Sequence, residues 1–118
     1  RGQVYCAAFD VSSGYPVRAM EDDAIALSEL LNRLPENKQI LFAGDGVEKY
    51  AKEIQAQMGV RAMIAPENLR DLKPEAVCAL AARKKGEWIP ACELRPVYLR
   101  KPQAERERNA RLAREAEK

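Results

Sequence analysis

Two short apolar runs, Ile40-Leu41-Phe42-Ala43 and Val60 to Ala65, flank one helical stripe formed by Val47, Tyr50, Ala51, Ile54 and Met58. Strands joined through a helix cannot close as a hairpin. The connection makes them parallel and right-handed. Gly44-Asp45-Gly46 turns the chain between the first run and the helix, and Gly59 is placed for the helix C-cap. A continuous apolar run such as Ile40–Ala43 is the pattern of a strand buried on both faces of a sheet.

The flanking segments extend this unit. Val4 to Val11 is rich in β-formers, Ser12-Ser13-Gly14 is a turn, and Tyr15 to Met20 resumes an extended pattern. Together they predict a hairpin, with Pro16 at a strand start or edge. Glu21-Asp22-Asp23 places three acids where they suit a helix N-terminus. Leu27, Leu30, Leu31 and Leu34 follow at i, i+3, i+4 and i+7, and Pro35 and Asn37 end that helix. After a polar loop, Pro66 to Lys73, Pro74 opens a third helix with Ala76, Val77, Leu80 and Ala81 on its apolar face. Arg83, Lys84 and Lys85 form its last turn, with Gly86 beyond. Residues 87–100 read as an irregular arm carrying Trp88, Pro90 and Pro96. Residues 101–118 read as a charged tail, either mobile or helical, with Leu112 as its one large apolar residue.

The predicted order is β-β-α-β-α-β-α. Arg1 opens directly into a strand, and an Arg-Gly pair in that position belongs to a hairpin turn whose first arm would precede it. The expectation is a piece of a longer protein. One more strand ahead of Val4 would make the order βββαβαβα, that of a ribonuclease-H-like module. The predicted fold is therefore an α/β ribonuclease-H-like domain, residues 1–100. Its mixed sheet is built from a hairpin and then βαβα, without its first strand. The strand edges left open would be filled by another copy, another chain or upstream residues, because backbone polar groups do not stay buried and unpaired.

Charge narrows the function classes. The net charge is +2 in 118 residues. Residues 1–100 hold 14 basic and 14 acidic groups, while residues 101–118 hold six and four. The folded part thus has no net basic field to draw in nucleic acid. Cys6, Cys78 and Cys92 lack ligand or disulfide spacing, which predicts reduced thiols in a cytoplasmic protein, Cys6 and Cys78 packing as small hydrophobes. With no histidine, a histidine-based metal site cannot form, and a Ser or Cys nucleophile lacks its usual base. Asp22-Asp23 as a magnesium pair is weaker than the same acids as helix-start residues.

Gly44-Asp45-Gly46 is the most site-like feature. It follows a strand and opens a helix, where α/β folds hold phosphate. Asp45 puts negative charge at the same point, and no Lys or Ser follows as in a phosphate loop. The plainer reading is a tight turn with Asp45 capping the helix; the other is a vestigial nucleotide loop. Trp88, Arg95, Tyr98 and Arg100 allow base stacking, but a packed surface arm explains the same aromatics. Arg106, Arg108, Arg111 and Arg114 offer phosphate contacts, but interspersed glutamates make a solvated tail the better reading.

Four stretches carry a family likeness: Arg1-Gly2-Gln3-Val4-Tyr5, Phe42-Ala43-Gly44-Asp45-Gly46, Ala76 to Gly86, and Pro96-Val97-Tyr98-Leu99-Arg100. In order and spacing they resemble the C-terminal half of the bacterial TsaB (YeaZ) family, which takes part in making threonylcarbamoyladenosine on tRNA. The resemblance covers about residues 1–100, and Arg1, Val4, Tyr5, Pro96, Tyr98, Leu99 and Arg100 are its motif residues. It implies a non-catalytic, cytoplasmic subunit of the actin, Hsp70 and sugar-kinase superfamily. Such a subunit supports the TsaD transferase together with the ATPase TsaE. The resemblance implies no cofactor in this chain, with ATP and magnesium belonging to the partner subunits. Self-association is open, direct tRNA contact is not expected, and neither is a membrane. The family's older glycoprotease label finds no support in these residues. The alternative is a fragment of an actin-like or sugar-kinase-like ATPase that binds nucleotide between two lobes.

Overall fold

A computed structural model describes residues 2–118. It is a mixed α/β protein with an antiparallel hairpin, a parallel strand pair and four α-helices. Two compact units divide it, one comprising residues 3–25 and 95–118 and the other residue 2 and residues 26–94.

In the first unit, β1 (Gln3–Asp10) pairs with β2 (Val17–Ala26), whose last residue crosses into the second unit. The turn between them is set locally. The Asp10 Oδ1 oxygen accepts from the Ser12 backbone N–H at 2.8 Å and from its hydroxyl at 2.6 Å. Gly14 N–H donates to Val11 O at 3.0 Å with φ +84°, a conformation that glycine adopts without Cβ strain. Across the strands the Arg18 guanidinium lies 4.8 Å from the Phe9 ring centroid, a cation–π contact.

Glu21, Asp22 and Asp23 do not begin a helix; they are strand residues of β2. Pairing with β1 outweighs the local preference of acids for a helix start. Asp22 is held at 2.8 Å by Arg18, and the Asp23 carbonyl accepts from the Cys6 thiol at 3.7 Å.

The second unit holds most of the core. Helix α1 (Leu27–Arg33) buries Leu27, Leu30 and Leu31, and Leu34 is buried just beyond it. Leu34 is extended at ψ 149°, as expected for a residue preceding proline. β3 (Ile40–Phe42) pairs in parallel with β4 (Ala62–Ile64), in the register Ile40↔Ala62, Leu41↔Met63, Phe42↔Ile64. Helix α2 (Gly46–Met58) connects them and buries Val47, Ile54 and Met58. Gly59 closes it with φ +61°, its N–H donating to Gln55 O. The chain continues as a 3-10 turn, Gly59–Arg61, so β4 begins two residues later than the apolar run predicts, and Val60 is exposed.

The parallel β-α-β unit is present as predicted, but the single mixed sheet is not. The hairpin and the parallel pair form two separate two-stranded sheets. No strand among the described residues bridges them. β3 also departs from the both-faces pattern: Phe42 is buried while Leu41 is exposed.

Burial stops early in the chain. The buried hydrophobic residues run from Ile25 to Ala65. Helix α3 (Pro74–Ala82) starts at the predicted proline but buries no residue, and Arg83, Lys84 and Lys85 lie past its last helical residue. Helix α4 (Gln103–Ala116), in the tail, also buries none.

Candidate functional site

The Gly44-Asp45-Gly46 loop joins β3 to α2. Ala65 N–H donates to Phe42 O at 2.9 Å, which ties the end of β3 to the residue following β4. Gly44 then turns the chain with φ +113°, and Val47 N–H donates to Gly44 O at 3.2 Å. Asp45 occupies the N-cap position, but its backbone is already helical (φ −66°, ψ −25°) and its side chain makes no capping bond. An N-cap side chain reaches the N2 or N3 amide from an extended backbone, so the helical backbone explains the absent bond. The expected side-chain cap is therefore corrected to a backbone turn closed by Gly44 O.

The loop's chemistry follows from its groups. A helix N-terminus attracts anions through free amides and its dipole. Here the Val47 amide is used within the turn, and the exposed Asp45 and Glu48 carboxylates lie at the same end. Lys49 is nearby, its ammonium 5.0 Å from the centroid of the Tyr50 ring. The arrangement disfavours a phosphate and forms a strand-to-helix corner closed by one backbone hydrogen bond. Among the described residues, no three or more Asp, Glu or Cys side chains are grouped to hold a metal ion.

The other predicted residues do not gather at one point. Val4 is half-buried on β1, while Tyr5 is exposed beside it. Pro96 and Tyr98 are exposed, Leu99 is 39% exposed, and Arg100 is half-buried. These lie in the first unit, whereas Gly44, Asp45 and Gly46 lie in the second. Arg1 lies outside the described residues. The group weighed for base stacking is divided in the same way, Trp88 in the second unit and Arg95, Tyr98 and Arg100 in the first. Trp88 has a local role: its indole N–H donates to Ala81 O at 2.7 Å and ties the arm to the end of α3.

No disulfide joins the three cysteines. Cys6 is half-buried, but Cys78 is exposed, against the expectation of a core thiol, because the helix that carries it packs no residue into a core. On α4, Ala104, Glu107, Arg108, Arg111 and Arg114 line an open depression on one helix. Arg111 pairs with Glu115 at 3.8 Å, and Glu107 accepts from Gln103 at 2.7 Å. That face presents one glutamate and three arginines, and Glu115 beside Arg111 offsets part of its positive charge.

Sequence reasoning missed a set of exposed large apolar side chains, Leu41, Met63, Val77 and Leu80. The available signal was α3 itself, apolar around its circumference, which is the pattern of a helix meant to be covered. No protein-family model, curated protein or solved structure matches the chain.

Proposed function

We propose that this chain is the C-terminal ribonuclease-H-like domain of a TsaB-type protein, a non-catalytic subunit that supports a TsaD-type threonylcarbamoyl transferase in tRNA modification. The observation that carries the reading is the element order, a hairpin followed by α-β-α-β-α with β3 and β4 parallel. The four motif stretches resembling the TsaB family lie along that order. The Gly44–Gly46 corner, with its own carboxylate at the helix start, fits a scaffold better than a nucleotide site. On this reading the chain's work is mechanical, and ATP and magnesium act in the partner subunits.

The test is genetic and chemical. Deleting the gene for this protein in its host removes threonylcarbamoyladenosine from bulk tRNA, read by mass spectrometry of nucleosides. Unchanged modified nucleoside would refute the reading. The position of Gly44-Asp45-Gly46 after a strand favours one second reading, an actin-like or sugar-kinase-like ATPase fragment. Saturable binding of a fluorescent ATP analogue, lost on Gly44→Val, would support that second reading instead.

A further inference from the structure

The hairpin lacks the support that a two-stranded sheet needs. Among the described residues, β1 and β2 form a sheet only with each other. No residue of β1 is buried, and on β2 only Ile25, next to its end, is. A two-stranded hairpin alone is marginal in water, and a third strand or a packed helix makes such a sheet stable. Each strand also has an outer edge. A strand edge is a row of backbone donors and acceptors, and its chemical complement is another extended strand.

The two edges differ in chemistry. β2 carries Arg18, Glu21, Asp22 and Asp23, and Pro16 stands just ahead of it. Charges and proline are the devices that keep an edge from pairing. β1 has no charge and no proline before Asp10, its last residue, so the open edge is that of β1. Its sequence is also complementary to itself. Turned antiparallel about Ala7, it sets Tyr5 opposite Phe9 on each side of the axis. Residues two apart share a face of a strand, so Tyr5, Ala7 and Phe9 lie together, with Tyr5 66% and Phe9 49% exposed. Aromatic pairs directly across antiparallel strands are stabilising. The two Asp10 carboxylates fall at opposite ends, each across from Val4, so no like charges meet.

We propose that β1 of one copy pairs antiparallel with β1 of a second copy, joining two hairpins into one sheet in the order β2-β1-β1-β2. The same edge is used on both copies, so the pairing closes at two. It covers the uncharged edges and leaves the charged β2 edges outermost, which stops the sheet from growing further. This inference does not depend on the tRNA-modification reading.

Sedimentation velocity of the 118-residue chain at micromolar concentration tests it, and the expected species is a dimer. Ala7→Lys sets two ammonium groups opposite each other at the axis and raises the dissociation constant about tenfold. Far-UV circular dichroism stays unchanged, because Ala7 is not in the core. A second measurement stands if that variant unfolds. With Cys6, Cys78 and Cys92 replaced by Ser, a single Ala7→Cys meets its own copy across the axis at a separation that a disulfide spans. It gives a covalent dimer on mild oxidation, whereas a single Ala19→Cys on β2 in the same background stays largely monomeric. A monomer in sedimentation, which would leave the edge to another chain or to upstream residues, would overturn the proposal. So would a dimer that survives Ala7→Lys, or equal cross-linking from the two positions.

Discussion

At the residue scale, two neighbours in one loop play different parts. Gly44 is required by its backbone: at φ +113°, an added Cβ meets no atom within 4 Å, so substitution is penalised by conformation alone. Gly44→Ala is expected to cost roughly 1–3 kcal/mol, measured by urea denaturation. Asp45→Ala, at an exposed cap position with no side-chain bond, is expected to fall within about 0.5 kcal/mol of the parent. A loss near 1 kcal/mol or more for Asp45→Ala would show that a capping bond forms in solution. Ile54, 2% exposed on α2, is a core position of a different kind. Ile54→Ala removes packing from a small core and is expected to cost about 2–5 kcal/mol.

At the element scale, stability is uneven. α1, α2 and β3 hold most of the buried leucines, Phe42, Val47, Ile54 and Met58, whereas α3 and α4 bury nothing. Hydrogen exchange is therefore expected to be slowest in α2 and β3. It should be near the rate of a free peptide throughout α4, since helices of that length are marginal without tertiary packing. Arg111–Glu115 at 3.8 Å contributes only about 0.2–0.5 kcal/mol to such a helix.

At the scale of the whole molecule, charge and burial predict what the tail does not do. Deleting residues 101–118 removes all of the +2 net charge and no core residue. The unfolding free energy of the shortened chain should match the parent within about 0.5 kcal/mol. The parent is expected to give no tRNA gel shift at moderate salt, because acids and bases are balanced over residues 1–100 and interleaved beyond. A salt-sensitive shift abolished by the deletion would assign the tail to RNA.

Local pattern was enough to read the hairpin turn at Ser12–Gly14, the leucine stripe, the α2 stripe with its Gly59 stop, the parallel β-α-β step and the proline that starts α3. Each rests on short-range chemistry: periodicity, turn residues, or a missing amide. Three things depended on contacts distant in sequence. Glu21-Asp22-Asp23 became strand because β1 was there to pair with. The parallel pair and the hairpin separated into two sheets because no described strand joins them. Leu41, Met63, Val77 and Leu80 stayed exposed although their pattern marks them for burial, since periodicity shows which face is apolar and only tertiary packing supplies what covers it.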